Sequence, residues 1–372
     1  MVVIFIGLMA AVLFYIQHVL YKRWWHRLLE VDLVFQDEMV RQGERTILRE
    51  VLENRKWLPL PALKVKFQCS KYLRFVDDTN SAVTDRYYRN DMFSVKPFRR
   101  ITRSHEIICE KRGYYGIDGI DLVGGDLFWT EEMIDSRKCL TQLYVIPKAV
   151  PIQELAPALL KLNGEIVTRR QLLTDPFTYR GIREYSPFDE MRTINWKATA
   201  RTQELKVNMQ DSTVLSAAAV YLNLTENHVF RSEELREYAI SLASYCMEYF
   251  LGMNVQADFY TNAKDIVTKH QVTLKGSMDP GHLTQANKTL ARLDLTLPME
   301  TFGECFEARL KETQSDIFAV FISANTQEDF QQLLIAYGKK NSLIWLCPVE
   351  EKNEIKIFDE LKPVIMKIPL TD

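Results

Sequence analysis

Residues 216–224 read SAAAVYLNL, and two further runs of the same kind follow, IFAVFIS at Ile317–Ser323 and LIWLCP at Leu343–Pro348. An unbroken apolar run is typical of a strand that is buried on both faces, as in a parallel sheet covered by helices. Between the first two runs, Glu233–Phe250 repeats apolar residues at the helical period. Strands that alternate with helices predict an α/β domain with a parallel sheet over residues 214–372.

The other elements of this domain are predicted from the same two periodicities. Two more strands are expected at Val255–Tyr260 and Pro363–Ile368. Three more helices are expected at Leu283–Leu293, Phe302–Thr313 and Gln327–Tyr337. Their order along the chain keeps the alternation of strands and helices that the parallel sheet requires.

Residues 28–150 have a different pattern, in which short stretches of partly alternating residues are separated by turn signals such as Gln42-Gly43. The expected strands are Val31–Gln36, Glu44–Leu52, Leu63–Gln68, Met92–Ile101, Glu106–Lys111 and Leu143–Pro147. Six short strands without a helical period predict a small β-sandwich. Residues 151–213 are expected to connect this domain to the α/β domain.

Val2–Tyr21 contains twenty consecutive residues without a charged side chain. A helix of that length measures about 30 Å, the hydrocarbon thickness of a bilayer. A cleaved signal peptide is the alternative, but its basic n-region and small-residue cleavage site are not evident. The basic and aromatic stretch Lys22–Arg27 follows directly. By the positive-inside rule, residues 1–27 are expected to anchor the chain in the cell membrane with a single span, and the rest lies in the cytoplasm.

The composition argues against several classes of protein. With 47 basic and 49 acidic side chains in 372 residues, the net charge of −2 argues against nucleic-acid binding, which needs a strongly basic domain. The six cysteines form no C-x-x-C pair, so they predict reduced thiols and no zinc site. The G-x-S-x-G, Walker A, H-E-x-x-H and G-x-G-x-x-G motifs are absent. We therefore predict no enzymatic activity and no cofactor.

The connector contains the most distinctive stretch of the chain, GIREYSPFDEMRTINWKATAR at Gly181–Arg201. Ser186 is expected to be the N-cap of a helix, because Pro187 suits the first helical position. Asp189 would then lie in the first turn, where its charge favours the positive end of the helix. The helix is expected to run to about Ala200.

Charge is concentrated around this stretch. Residues 169–201 hold seven basic side chains against four acidic ones. Arg and Trp are favoured at protein interfaces, so the stretch predicts a docking surface. The alternative is that Arg183 or Arg192 pairs with Asp189 or Glu184 and holds the connector in place, since Arg–carboxylate pairs have a defined geometry.

The stretch resembles the signature of the domain of unknown function 58 family, whose usual form is G-x-R-x-Y-x-x-G-D-x-x-R-x-I-x-W-x-x-x-A-R. The matching positions are Gly181, Arg183, Tyr185, Asp189, Arg192, Ile194, Trp196, Ala200 and Arg201. Phe188 stands where the family commonly has glycine. Looser similarity includes the N-terminal membrane segment, Lys111–Tyr115 in the β-rich region and a C-terminal domain similar to von Willebrand factor A. The family often carries two membrane helices, whereas one is predicted here.

The resemblance implies a role rather than a reaction. Such proteins are similar to partners of MoxR-type AAA ATPases, which are thought to assist the assembly or maturation of other complexes. We therefore expect a membrane-anchored cytoplasmic scaffold or adaptor with a MoxR-type AAA ATPase as its partner. The residues expected to bind this partner are Arg183, Tyr185, Asp189, Arg192, Trp196, Lys197 and Arg201. The alternative is a hydrolase that uses Asp189 with Arg183 and Arg192 in an inter-domain cleft.

The resemblance to von Willebrand factor A also raises the question of a metal ion. Such domains often hold a divalent cation through D-x-S-x-S after the first strand. The corresponding residues here are Asn223, Thr225 and Asn227. Because magnesium prefers carboxylate oxygens, the neutral Asn223 removes a charge that the site needs. We therefore predict a degenerate site that binds no metal.

Overall fold

The computed structural model describes residues 2–151, 155, 161, 164, 179–185, 191, 194–210, 217–225, 233–253, 255–277, 279, 281–306, 317–350 and 356–370. The chain forms two compact units. The first comprises Met1–Lys148 with Leu290–Arg292, and the second comprises Ala149–Thr289 with Leu293–Asp372. The residues predicted to form a connector fall in the second unit.

The first unit begins with helix α1, which spans Val2–Trp24. Within the described part of the chain, α1 is the one helix that is long and apolar enough to cross a membrane. The strands that follow are β1 (Leu29–Phe35), β2 (Met39–Arg41), β3 (Arg45–Asn54), β4 (Leu60–Ser70), β5 (Leu73–Phe75), β6 (Ser81–Val83), β7 (Arg86–Val95), β8 (Arg99–Cys109), β9 (Gly113–Gly125) and β10 (Glu132–Ile146).

These strands form two sheets, in the orders β1-β3-β8-β5 and β2-β10-β9-β4-β7-β6. All pairs are antiparallel except β2 with β10. Along most of the longer strands, buried and exposed residues alternate, as the pleat requires when one face meets a core. Leu48 and Phe75 of the first sheet belong to the same buried cluster as Val65, Leu122 and Leu143 of the second. Two sheets that share one core form a β-sandwich, which confirms that prediction.

The prediction of a single strand at Met92–Ile101 was wrong. Its first residues end β7 and its last residues begin β8, and the turn between them contains Pro97. Proline has no N–H group to donate to a sheet. Phe98 has φ 50°, a left-handed conformation that ends the extended chain.

The second unit has a seven-stranded sheet and several helices. Its strands are β11 (Tyr179–Glu184), β12 (Lys206–Gln210), β13 (Ala217–Leu222), β14 (Gln256–Asp265), β15 (Gln271–Leu274), β16 (Leu293–Asp294), β17 (Phe318–Ile322), β18 (Leu343–Val349) and β19 (Ile365–Pro369). Its helices are α2 (Trp196–Thr202), α3 (Glu233–Gly252), α4 (His282–Ala291) and α5 (Glu328–Gly338), with a helical stretch at 302–306 and a 3₁₀ turn at Asp359–Leu361.

The large sheet has the order β15-β14-β13-β17-β18-β19, with β16 also paired to β14. The neighbours from β14 to β19 are parallel, whereas β15 and β16 are antiparallel to β14. Every residue of β17 is buried, as expected for a strand with both faces covered. On one face, the Tyr221 ring lies between Phe321, 4.9 Å away, and Tyr260, 5.1 Å away, measured between ring centroids.

The helix predicted from Pro187 to Ala200 was wrong in its extent. Asn195 has φ −87° and ψ 91°, so the backbone is extended there. Ile194 makes an isolated β-bridge with Val207. The helix therefore begins at Trp196. The predicted cap Ser186 and the first predicted helical turn lie outside the described residues.

Candidate functional site

The signature stretch is built on a small β-hairpin and a short helix. Strand β11 pairs antiparallel with β12, and Arg183 lies opposite Val207. The Asn195 side chain accepts a hydrogen bond from the backbone N–H of Ala198, 2.9 Å away, and so caps α2. Its amide nitrogen donates to Oδ1 of Asn208 at 2.6 Å. These bonds tie the start of the helix to β12.

One side of this motif faces inward. Ile194 and Val207 are buried and oppose each other across the β-bridge. Tyr185 is half-buried, and its backbone N–H donates to the carbonyl of Leu205 at 2.9 Å. Lys206 forms ion pairs with Glu184 at 3.2 Å and with Glu204 at 3.1 Å. These contacts hold the segment in its conformation. Trp196 takes part in none of them.

The motif also carries exposed residues that we call the signature surface: Ile182, Arg183, Met191, Trp196, Lys197 and Arg201. The Trp196 side chain is 65% exposed, and Met191 is 70% exposed. Arg183 donates to the carbonyl of Glu184 at 2.9 Å and still lies at the surface. Exposed Trp next to basic groups is the chemistry of an interface anchor.

Two of the predicted partner-binding residues, Asp189 and Arg192, lie outside the described residues. The structure therefore brings together Arg183, Trp196, Lys197 and Arg201 on one small motif, with Tyr185 half-buried at its edge. Of the three residues in the hydrolase alternative, Arg183 is described, whereas Asp189 and Arg192 lie outside the described residues, so this alternative stays a prediction. The same holds for the predicted pairing of Arg192 with Asp189.

The predicted degenerate metal site lies just beyond the carboxyl end of β13. Asn223 is buried, and its Oδ1 accepts hydrogen bonds from the backbone N–H of Thr225 at 3.0 Å and from Nδ2 of Asn262 at 3.3 Å. Nδ2 of Asn262 also donates to Oγ1 of Thr225 at 2.8 Å and to the carbonyl of Glu300 at 3.2 Å. Asn227 lies outside the described residues.

This amide network has the wrong chemistry for a magnesium ion. The oxygens of Asn223 and Thr225 already accept hydrogen bonds from Nδ2 of Asn262, and an NH₂ group offers a cation no lone pair. Hard cations prefer several negatively charged oxygens. Asn223, Thr225 and Asn262 are all neutral, so a cation bound to these three described residues would lose hydration without gaining a carboxylate.

The sequence analysis missed a cluster of charged side chains inside the sandwich. In β3, Glu50 lies between Leu48 and Leu52 on the face that points into the core. In β7, Arg89 and Asp91 occupy the same inward-facing phase as its buried aromatic residues. Strand β8 adds His105 and Arg103. The signal was present, because Glu50 is in phase with apolar neighbours two residues away on both sides.

Within this cluster, the charges are closely paired. Nε of Arg89 is 2.6 Å from Oδ2 of Asp91, and Nη1 of Arg103 is 3.1 Å from Oδ1. Nε2 of His105 is 3.1 Å from Oε2 of Glu50 and 3.6 Å from Oδ2 of Asp91. Burial raises the pKa of the Glu50 carboxyl, although the hydrogen bond with His105 opposes this change. Oε1 of Glu50 has no hydrogen-bond partner among the described residues.

Glu50, Asp91 and His105 are the one group in the described part of the chain with the spacing of metal ligands. Asp91, however, already pairs with two guanidinium groups, which balance the charges of the two carboxylates. A divalent cation would add two positive charges beside Arg89 and Arg103 in a buried position, where repulsion is strong. A cavity of about 460 Å³ borders the cluster. We interpret the cluster as a charge-balanced part of the core.

No protein-family model matches this chain, and no curated protein matches it. Among solved structures, a CARDB domain from Pyrococcus furiosus is similar to 32% of this chain, over 90% of its own length, with 13% identity and a TM-score of 0.23. A non-cellulosomal cohesin from Archaeoglobus fulgidus is similar to 32% of this chain, over 91% of its own length, with 9% identity and a TM-score of 0.23. At such low identity and TM-score, neither likeness assigns a family or a function to this chain.

Proposed function

We propose that this protein is a membrane-anchored scaffold or adaptor, which works with a MoxR-type AAA ATPase in the assembly or maturation of a client complex. The observation that carries the proposal is the exposure of Trp196 on the same compact motif as the exposed Arg183, Lys197 and Arg201. The class of partner comes from the resemblance of Gly181–Arg201 to the domain of unknown function 58 signature.

The chemistry of the signature surface fits an acidic partner. A guanidinium group presents several N–H donors in a plane and binds a carboxylate with two hydrogen bonds. An exposed indole supplies a large apolar area and loses little conformational freedom on binding. We therefore propose that Trp196 enters an apolar pocket on the ATPase, while Arg183 and Arg201 pair with carboxylates at its rim.

The other parts of the proposal concern the anchor and the second unit. Helix α1 supports a single span, and the basic residues in its last turn and directly after it support a cytoplasmic location for the remainder. The largely parallel sheet of the second unit supports a domain similar to von Willebrand factor A. The amide network at Asn223 supports a version of that domain that works without a metal.

A test of the membrane orientation by thiol labelling needs introduced cysteines, because five of the six native thiols are buried. Burial raises the pKa of Cys347 to about 12, and that of the half-buried Cys305 to about 12 as well. Val267→Cys would place a thiol at an exposed position in the second unit. We expect an impermeant maleimide to label it after permeabilisation only. Labelling in intact cells would place this unit outside the cytoplasm.

The partner is tested with the full-length protein in nanodiscs and a purified MoxR-type ATPase from the same organism, in the presence of ATP. Trp196→Ala should weaken binding by about 1–3 kcal/mol, which is roughly 5- to 150-fold in Kd. Arg201→Glu should weaken binding as well, since the substitution reverses the charge that is proposed to pair with a carboxylate at the rim of the ATPase pocket. Tyr88→Ala, an exposed aromatic change in β7, and Lys275→Glu, a charge reversal after β15, are the matched controls.

The result is interpretable because melting temperatures are measured on the same samples. Loss of binding by Trp196→Ala at unchanged melting temperature supports docking. Equal binding by the wild type and Trp196→Ala contradicts it. If the wild type shows no affinity for the ATPase, the partner class is wrong.

A further inference from the structure

One end of the sandwich carries an unusual set of exposed apolar side chains. Strands β1, β4, β8 and β10 begin at this end, and β3, β7 and β9 finish there, as their pairing registers show. The linkers at this end expose Leu28, Trp57, Phe98, Leu127 and Phe128. Phe98 is 70% exposed, Phe128 66% and Trp57 56%. We call these five residues the apolar tip.

The backbone at the tip holds large side chains in conformations that usually favour glycine or asparagine. Leu28 has φ 48°, Phe98 has φ 50° and Trp129 has φ 56°. For bulky residues, positive φ is a rare and costly conformation. Glycine at these turns would cost less free energy and would expose less apolar surface to water. Large apolar residues are therefore unexpected here if the turns contact water alone.

Helix α1 enters the sandwich at this same end. Tyr21 and Trp25 are 2% and 3% exposed and belong to the sandwich core. The side chains of Gln17 and His18 each lie 3.2 Å from Oδ2 of Asp126, in the loop between β9 and β10. One turn higher, the Phe14 ring lies 5.5 Å from the Phe128 ring. The loop therefore runs alongside the helix rather than below it.

The docking covers part of the stretch that is predicted to span the membrane, Val2–Tyr21. Residues 3–16 are exposed throughout, and residues 17 and 18 are the first to be partly covered by the domain. Fourteen residues at about 1.5 Å each measure about 21 Å, whereas the hydrocarbon core is about 30 Å thick. If the whole of Val2–Tyr21 lies in the hydrocarbon core, the loop beside residues 14–18 enters the membrane with it.

The charges around the tip favour an anionic lipid surface. Exposed basic residues flank the apolar tip on the end of α1 and on the neighbouring turns: Lys22, Arg23, Arg27, Arg55, Lys96, Arg99 and Arg100. Lys22 pairs with Glu131, and Arg55 pairs with Glu30 and Glu53. Basic groups that surround inserted aromatic residues are the pattern of an interfacial membrane anchor, with attraction to anionic lipids added to apolar burial.

We propose that the apolar tip is a second membrane-binding site, in which Phe98, Leu127 and Phe128 insert into the headgroup boundary of an anionic bilayer. This inference rests on the proposed membrane anchor and does not depend on the ATPase partner. It fixes the sandwich against the membrane with its strand ends toward the lipid. The domain is thereby held at the membrane surface by a second contact in addition to α1.

The test uses the full-length protein with Cys305→Ser, so that introduced thiols carry the label. Phe98→Cys and Phe128→Cys are each labelled with an environment-sensitive fluorophore, and Val83→Cys, at the opposite end of the sandwich, is the matched exposed control. Each sample is reconstituted in vesicles of phosphatidylcholine and phosphatidylglycerol, with or without a lipid-borne quencher. We expect blue-shifted emission and at least about three-fold more quenching at positions 98 and 128 than at 83, since an interfacial group lies about 5–10 Å into the boundary.

Each other outcome contradicts a specific statement. If the protein stays in the vesicles after a high-salt and carbonate wash while all three labels remain equally unquenched, the tip proposal is wrong and the anchor stands. A label at 98 or 128 that is shielded from water but not quenched by lipid means that protein covers the tip, which also overturns the proposal. If the protein washes off the vesicles, the anchor itself is wrong. Equal quenching in pure phosphatidylcholine removes the role of anionic lipid.

Discussion

The two units place polar groups in their cores in different ways. Among the described residues, the sandwich buries the ionisable side chains Glu50, Lys56, Arg89, Asp91 and His105, together with Arg112 and Asp126. The α/β unit buries mainly amides and hydroxyls, such as Asn223, Asn262 and Ser323. Both arrangements interrupt an apolar pattern. The sandwich does so mainly with ionisable groups, whereas the α/β unit does so mainly with neutral dipoles and buries the ionisable Asp265 and His282 as well.

The difference matters because desolvation depends on charge. A buried amide with partners loses little, whereas a buried ion depends on each of its neighbours for compensation. Removal of one member of a charged network leaves the others uncompensated. The sandwich should therefore be sensitive to single substitutions and to pH at these positions, and the amide network should be sensitive to neither pH nor metal ions.

The largest effect is expected from Asp91→Ala. This carboxylate is 1% exposed and pairs with both Arg89 and Arg103, so its loss leaves a buried guanidinium group without its carboxylate. We expect the sandwich to lose about 3–5 kcal/mol of unfolding free energy. Calorimetry of the full-length protein in nanodiscs measures this. The surface pair of Arg45 with Glu106 provides the control, because Glu106→Ala should cost at most about 1 kcal/mol. Similar losses of unfolding free energy in the two variants would mean that burial does not increase the contribution of the charged cluster to stability.

The next effect has the opposite sign. Lys56 is buried, and its Nζ has no hydrogen-bond partner among the described residues. Burial, with a smaller contribution from Arg137, lowers the pKa of Lys56 to about 8. The protonated form therefore costs the folded state free energy below pH 8. Lys56→Met keeps the length of the side chain without the charge, and we expect it to stabilise the sandwich by about 1–3 kcal/mol at pH 7.

The pH dependence of this second prediction is its check. The penalty for Lys56 is fully present below about pH 8 and disappears as the pH rises toward the usual lysine range. The advantage of Lys56→Met should shrink accordingly between pH 8 and pH 10. Chemical denaturation of both proteins at pH 7 and pH 10 measures this change. An advantage that stays constant with pH would assign the stabilisation to packing rather than to the buried charge.

The contrast also explains which elements could be predicted from sequence. Ala217–Leu222, Phe318–Ile322 and Leu343–Val349 follow from unbroken apolar runs, because a strand with both faces covered shows no polar residues. Most of strand β7 was not predicted. Its charged residues Arg89 and Asp91 occupy core positions, where an alternating pattern would have an apolar residue. Functional or charged core positions are where pattern reasoning fails.

The signature stretch was predicted in part for a similar reason. Its residues were singled out by their types and spacing. Of the described ones, Arg183, Trp196 and Arg201 are exposed, whereas Tyr185 is half-buried and Ile194 is buried. The extent of the helix was wrong because Asn195 is as good a cap as Ser186, and tertiary pairing of Ile194 with Val207 fixed the start. Local propensity alone does not choose between two caps.

The third expected effect is smaller and concerns the Glu50 carboxyl alone. Burial raises its pKa in the folded protein, against the opposing hydrogen bond from His105. Ionised Glu50 therefore costs stability, and this cost is absent below the unfolded pKa and grows as the pH rises through the folded pKa. Relative to the wild type, Glu50→Gln should become more stable as the pH rises above 4.5, the ordinary pKa of a glutamate. The measurement is the difference between the two denaturation curves at each pH. A difference that does not change with pH would show that Glu50 titrates normally.

The smallest expected effect is that of magnesium on the α/β unit. A ligand that binds the native state must raise its stability, and 1 kcal/mol moves the melting temperature of a domain of this size by about 2–4 °C. The oxygens at Asn223 and Thr225 already accept hydrogen bonds from Asn262, and none of these groups is charged. Millimolar magnesium or manganese should therefore change the melting temperature by less than about 1 °C. A rise of several degrees that persists in Glu50→Gln would place a metal in the α/β unit and contradict the comparison. A rise that Glu50→Gln abolishes would instead place the metal in the sandwich, where the acidic side chains and His105 have ligand spacing.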